Sequence, residues 1–238
     1  MRSALEANRG HTAVLIIPAL NEEAVLGATL ARIPSDIFES VIVADNGSSD
    51  RTVEVAHAAG ARVTIEPERG YGATCLRALR EVPAGSHAIV FMQADSSEDP
   101  NEARELLRPL YEGRADLTIG SRTLGVAEPG ALLAHQRLGN WLLIVLIRIL
   151  FRHRFTDLGP FRAIRADALA KLNMRDRNYG WTLEMQVKAV REGLRILEIP
   201  VTYRVRAAGE NKVSGNWWVS VKAGLKMIAV LLRLRIML

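Results

Sequence analysis

A chain of 238 residues with 49% hydrophobic and 24% charged side chains is long enough for one domain with a sizeable core, and its apolar content excludes intrinsic disorder. Its single cysteine, Cys75, excludes a disulfide framework and a zinc site built from several thiolates, and fits a reducing compartment such as the cytoplasm. The net charge of +5 is unevenly spread: residues 1–130 hold 12 basic and 19 acidic side chains, a net of −7, whereas residues 131–238 hold 19 and 7, a net of +12.

Short apolar runs alternate with helical patterns through the first half, the mark of βα units and a mainly parallel sheet. Residues 13–17 read as a buried strand closed by Pro18, with Asn21 as the N-cap of a helix and Glu22 and Glu23 at its positive end. The polar stretch 1–11 before it lacks the apolar run of a secretory signal. Residues 41–44 form a second strand, followed by Asp45-Asn46-Gly47-Ser48-Ser49-Asp50 and a helix ending at Gly60. Strands follow at 62–65 and 88–92, the latter leading into Gln93-Ala94-Asp95-Ser96-Ser97-Glu98-Asp99. Asp99 caps a helix that opens with Pro100 and runs to about Glu112, and 117–120 is a fifth strand.

The second half changes character. Residues 138–151 are almost wholly apolar, but 141–147 give only seven uninterrupted apolar residues, far short of the ~20 that span a bilayer. Further strands are expected at 161–164, 196–199 and 202–205, with a helix over 181–192 stopped by Gly193. Residues 217–238 are helical in pattern, led by two tryptophans and punctuated by Lys222, Lys226, Arg233 and Arg235. Such a basic amphipathic segment suits a membrane surface, or else packs on the domain or forms an oligomer contact. It divides the chain into a domain over 1–215 and a C-terminal helix over 216–238.

Three polar clusters fall after predicted strands: Asn21-Glu22-Glu23, residues 45–50 and residues 93–99. In open α/β sheets ligands bind outside the carboxyl ends of strands, where carboxylates hydrogen-bond a nucleoside or hold a hard divalent cation. Asp, Asn and Ser are also common caps and turn formers; three clusters in register favour a nucleotide site. Gly70-Tyr71-Gly72 resembles a truncated dinucleotide fingerprint, but it follows the third strand rather than the first and lacks a third glycine, which makes it a weak dehydrogenase signal, and no phosphate loop ending in Gly-Lys-Ser/Thr occurs. The five histidines have no metal-ligand spacing; His57 reads as an exposed or packed helix residue and Cys75 as a small buried one. Arginines on glycine-flanked loops of the second half suit a phosphate or pyrophosphate. Nucleic acid is disfavoured, because basic residues are not interleaved with stacking aromatics.

The order of Ile17-Pro18-Ala19-Leu20-Asn21-Glu22-Glu23, the 45–50 cluster and Arg69-Gly70-Tyr71-Gly72-Ala73 resembles the nucleotide-sugar-binding half of family 2 glycosyltransferases of the GT-A fold. Gly120-Ser121-Arg122, residues 157–162, Glu184, Glu198-Ile199-Pro200 and residues 206–213 are similar to the polyprenyl-phosphate sugar transferases of that family, the dolichyl-phosphate mannosyltransferase-like group. The resemblance spans about 13–215. It implies an α/β, Rossmann-like sheet flanked by helices. It also implies an inverting hexosyl transfer from a nucleotide sugar to a polyprenyl phosphate at the cytoplasmic face of a membrane. By position, Pro18, Asn21, Glu22 and Asp45 would contact the nucleoside, with Gly72, Gln93, Ala94 and Asp95 completing the donor site. Asp95, with Ser97, would hold Mg²⁺ or Mn²⁺ on the pyrophosphate. Arg122, Arg137, Arg162, Arg206 and Lys212 would hold the acceptor phosphate and the leaving diphosphate, and Asp157 and Glu184 would lie near the sugar or orient these cations. Asp95, Arg122, Asp157 and Arg162 are the implied catalytic set. One departure is Gln93-Ala94-Asp95 where the family has Asp-x-Asp: a neutral carbonyl replaces a charged ligand and weakens the metal. The rival expectations are a soluble acceptor on the same fold and a non-catalytic nucleotide-binding homologue.

Overall fold

The computed structural model describes residues 11–207 and 217–236, the last helix by its side chains only from Gly224 onward. Its strands are β1 (Ala13–Ala19), β2 (Ser40–Asp45), β3 (Arg62–Ile65), β4 (Ala88–Phe91), β5 (Leu117–Ala127), β6 (Arg162–Arg165) and β7 (Ile196–Tyr203). Its helices are α1 (Glu23–Ala31), α2 (Thr52–Ala58), α3 (Tyr71–Leu79), α4 (Ala103–Tyr111), α5 (Ala134–Phe151), α6 (Ala166–Leu172), α7 (Trp181–Arg191) and α8 (Trp217–Ile236). The strands form one sheet in the order β3-β2-β1-β4-β6-β5-β7, parallel except for β6, which runs antiparallel to β4 and β5. This is the α/β architecture the sequence implies.

Strand side chains alternate between two cores. Ala13, Leu15 and Ile17 of β1 pack with Leu26, Leu106 and Leu110 on the face covered by α1, α2 and α4. Val14 and Ile16 pack toward α3, α5, α7 and α8 on the other, with Trp181 fully buried among them. Because β1 is the first strand of the series running out to β3, and β4 continues on its other side, the chain changes direction between them. The carboxyl ends of β1 and β4 therefore open a crevice at the topological switch point.

Several boundaries differ from the sequence reading. Residues 196–199 and 202–205 do not form two strands: β7 runs through Pro200, which is tolerated because β7 is the sheet edge and needs no outward N–H. β5 extends beyond Gly120 to Ala127, with a register shift against β7 between Ser121 and Val126. The helix opened by Pro100 starts as a 3₁₀ turn, with Asp99 accepting from Asn101 N, before continuing as α4. Asn21 is not the cap of α1. It stands one residue earlier, in a left-handed conformation (φ 49°), with Glu22 at the cap position. His57 is exposed on α2 and Cys75 is buried on α3, as expected; burial pushes the Cys75 thiol up, out of the reactive range.

The C-terminal segment is helical over Trp217–Ile236 and packs on α5 and α7, burying Leu231 and Leu234. The expected division at 215–216 lies outside the described residues. No helix among them is long and apolar enough to cross a membrane.

Candidate active site

A cleft of about 810 Å³ lies at the switch point, lined by Pro18 to Glu22, Asn46, Arg69 to Tyr71, Gln93 to Asp95, Asn178, Tyr179, Arg206 and Lys226. Three turn systems shape it. Asn21 Oδ1 accepts from Ser49 N at 2.8 Å, Glu22 N donates to Thr52 Oγ1 at 2.8 Å, and Glu23 N donates to Asp50 Oδ2 at 3.1 Å, so the loop after β1 is tied to the loop after β2. Asp45 Oδ2 accepts from the backbone of Gly47 and Ser48, both at 2.9 Å. Its carboxylate is thus engaged by its own turn and does not line the cleft; the neighbouring Asn46 does, donating to Glu66 O and Glu68 O and accepting from Gly70 N. Glu184, buried on α7, accepts from the backbone of Arg175 and Asp176 and pairs with Lys188 at 2.7 Å. It therefore sets the 175–178 turn and does not reach a phosphate. Gly72 is needed there, because a Cβ at this position would meet Asp176 O at 2.0 Å; the close approach places Asn178 and Tyr179 on the cleft wall.

The loop after β4 carries Gln93 and Asp95. Asp95 Oδ1 accepts from Ser97 N at 3.1 Å and from Ser97 Oγ at 2.5 Å, and Gln93 Oε1 accepts from Ser97 Oγ at 3.2 Å and Tyr203 Oη at 3.4 Å. Glu98 lies beneath with its Oε2 on Gln93 N (2.8 Å) and its buried Oε1 without a protein partner; burial pushes its carboxyl up to about 8. Arg206 bridges the cleft carboxylates, pairing with Glu22 and, at 3.3 Å, with Asp95.

On the far side of Tyr203, Arg122 and Asp157 form a two-pronged ion pair: Nε to Oδ2 at 2.7 Å and Nη2 to Oδ1 at 2.8 Å, with Arg122 N adding a third bond at 2.9 Å. Burial opposes the charge on Arg122, but Asp157 more than restores it, and its pKa rises above the ordinary arginine value. The Tyr203 ring stacks under the guanidinium, 5.1 Å from Cζ to centroid, and so connects this pair to Gln93. Asp157 N and Thr156 N in turn donate to Glu198.

Arg162 corrects the expectation for it. It is fully buried, and its guanidinium donates to Gly159 O, Thr182 O and Gln186 Oε1. Burial pushes its pKa down to about 10. Enclosed by carbonyl oxygens, it ties β6 to α7 and has no face toward the cleft. Arg137 is exposed on α5, one turn before Asn140, whose Oδ1 accepts from Leu158 N; it does not line the cleft. Lys212 lies outside the described residues.

Asn46, Tyr71, Asn178, Tyr179 and Lys226 are cleft residues that the sequence reading leaves unassigned. Asn46 was legible beside Asp45, and Tyr71 within its glycine pair. Nothing in the sequence marks Asn178 and Tyr179, which arrive through the Gly72 contact.

The donor set fits a hard divalent cation: Asp95 carboxylate, Gln93 carbonyl and Ser97 hydroxyl all offer oxygen, and the Ser97 hydroxyl lies within hydrogen-bond distance of the other two. Among the described residues, no group of three or more His, Cys, Asp or Glu could hold an ion unaided. This suits a metal that takes much of its coordination from phosphate oxygens and water.

A carboxylate-lined cleft at the switch point of an α/β sheet is where such folds bind nucleotides. The family model for glycosyl transferase family 2 matches residues 14–172, and the chain belongs to that family. An uncharacterised glycosyltransferase of Mycobacterium tuberculosis is 35% identical over 211 residues, covering 87% of this chain and 92% of the relative. An undecaprenyl-phosphate mannosyltransferase of Micrococcus luteus is 31% identical over 217 residues, covering 84% and 87%. The fold matches that of glucosyl-3-phosphoglycerate synthase from Mycobacterium tuberculosis, solved with Mn²⁺ and UDP-glucose, with a TM-score of 0.77 at 25% identity over 96% of this chain and 80% of the other.

Proposed function

We propose that this glycosyltransferase moves a hexosyl group from a nucleotide sugar to a polyprenyl phosphate at a membrane surface, with inversion at the anomeric carbon. The observation that carries this reading is the continuity of the cleft with a basic, apolar face. Lys226 of α8 lines the cleft, while the same helix turns Leu225, Leu232 and Ile236 outward; α5, packed against it, exposes Leu138, Trp141, Leu142 and Ile149. The sequence has no Asp or Glu from 129 to 156 or from 211 to 238, whereas these stretches hold Arg137, Arg148, Arg152, Arg154, Lys226, Arg233 and Arg235 among their basic residues. Two packed helices that carry no acidic residue and mix exposed aliphatic and basic groups suit anionic lipid. The name of the Micrococcus luteus relative points to the same acceptor class.

In this reading Asn21, Glu22, Asn46 and Tyr71 surround the nucleoside end of the donor. Asp95, Gln93 and Ser97 would hold Mg²⁺ or Mn²⁺, which when bound neutralises charge developing on the departing diphosphate. Asp157 fixes the Arg122 guanidinium so that it is already oriented when phosphate charge arrives, an arrangement that costs no reorganisation in the transition state. The acceptor phosphate is anionic at neutral pH, so attack needs no strong general base.

A soluble phosphorylated acceptor is the second reading, favoured by the likeness to glucosyl-3-phosphoglycerate synthase. Transfer assays with a panel of labelled nucleotide sugars, offered undecaprenyl phosphate in anionic vesicles or soluble phosphorylated acids, separate the two. The lipid reading expects product in the organic phase, and expects Leu138→Glu/Trp141→Glu to abolish vesicle binding and cut lipid transfer at least tenfold with the melting temperature unchanged. Turnover of soluble acceptors alone, unaffected by that variant, overturns it.

A further inference from the structure

Arg206 occupies an unusual position for a phosphate-binding residue. Its guanidinium lies between the two carboxylates of the cleft, on Glu22 and on Asp95 Oδ2 at 3.3 Å, and all three side chains are largely buried. The backbone after β7 holds it there: Arg204 N donates to Ser97 O at 2.7 Å and Ala207 N to Asp95 O at 3.5 Å, so this segment runs along the 95–98 loop. Asp95 Oδ1 is engaged by Ser97. Oδ2 is then the oxygen that a cation reaches, and Arg206 has it. Because Gln93 replaces a charged ligand, Asp95 is the sole carboxylate of Gln93-Ala94-Asp95. Two cations cannot share its outward oxygen without strong like-charge repulsion.

We propose that Arg206 is the resident counter-ion of Asp95, held there until a divalent cation arrives together with the donor diphosphate. Metal alone displaces the guanidinium from Asp95 with no diphosphate present to receive it. Metal with a diphosphate displaces it and supplies that anion in the same event. The two ligands are therefore coupled through one side chain, each binding more tightly in the presence of the other. The inference rests on the donor-and-metal reading above and is independent of the acceptor.

The test is titration calorimetry of the full chain with Mn²⁺ alone, and with UDP at saturating Mn²⁺. Arg206→Gln is expected to bind Mn²⁺ alone more tightly, on the order of tenfold, and to lose most of the mutual tightening between Mn²⁺ and UDP. Arg206→Lys, a compact charge that cannot span both carboxylates, is expected to fall between, and provides the reading if the glutamine variant does not fold. Adding Asp95→Asn to Arg206→Gln should remove the gain, because the competition is for that carboxylate. A residue that only supported the loop would weaken Mn²⁺ binding when removed. Unchanged or weaker Mn²⁺ binding by folded Arg206 variants overturns the proposal while leaving the donor site standing. Wild-type protein that binds neither Mn²⁺ nor any of UDP, GDP, ADP and CDP overturns both.

Discussion

Asp157 illustrates how one carboxylate can be structural and functional together. It is 1% exposed and meets the two prongs of Arg122 while its own backbone is held by Glu198. Breaking a buried pair by removing one partner leaves the other charge uncompensated and costs about 3–5 kcal/mol. Asp157→Ala is accordingly expected to lower the urea-unfolding free energy by about that amount. Asp157→Asn, which keeps shape and one acceptor, should lose less stability yet still disorder Arg122 and slow transfer. At this scale the sequence was informative where residue type and position agree: Asn21, Glu22 and Asp95 all face the cleft. It misled where one chemistry serves two settings. An arginine after Gly159-Pro160-Phe161 reads as a phosphate ligand, and whether its fork meets phosphate or backbone carbonyls is decided by burial, which no local pattern encodes.

Among elements, the buried strands are legible as apolar runs bounded by polar turns, and their carboxyl ends mark where the cleft lies. What could not be read was how β5 and β7 stay paired beyond Ser121, because the shift between Ser121 and Val126 arises from pairing across some 80 residues of chain. The opposite ends of β1 and β4 have their own chemistry. His87, just before β4, meets the His11 ring edge-on at 4.4 Å, and both stack near Tyr111. Burial, then the neighbouring His11, pushes the His87 pKa below its ordinary 6.5. The folded state thus binds this proton less readily than the unfolded chain. Stability is fully present above about pH 6.5 and declines as pH falls below it toward the lower folded value. Glu98, whose buried carboxyl sits up at about 8, contributes with the opposite sign over this range, so the His87 contribution is read as a difference: as pH drops from 7.5 to 5, the wild-type melting temperature should fall relative to that of His87→Gln.

For the molecule as a whole, α8 is both a surface element and part of the core. Leu231 is fully buried and Leu234 nearly so, packed with Leu143 and Ile147 of α5, while Leu225 and Ile236 face outward. Deleting 217–238 is therefore expected to remove about 1.5–3 kcal/mol for each of the two buried leucines, lowering the melting temperature and exposing the α5 face to aggregation. A vesicle-binding defect in such a truncation would report lost folding as much as lost lipid contact. Outward substitutions such as Leu225→Ser with Ile236→Ser should leave the melting temperature near wild type.

The edge position of β7 also bears on how the chain is made. A ribosome delivers β1, β2 and β3 as successive neighbours and then β4 to the other side of β1, but β5 gains its outer partner only after Tyr203 has emerged. Until then β5, eleven residues long, presents an open hydrogen-bonding edge of the sort that recruits another nascent chain. Gly125, against whose position the Val201 backbone later closes to within 2.0 Å of a notional Cβ, breaks that edge with a residue of poor strand propensity. Once β7 docks, Pro200 ends the sheet with a residue that cannot donate outward. The last of the described strands to be synthesised is thus also the one that closes the sheet to further strands, and the segment following it carries Arg206 into the cleft. Closure of the sheet and arrival of Arg206 are one late event, after which α8 adds Lys226 to the cleft and Leu231 to the core.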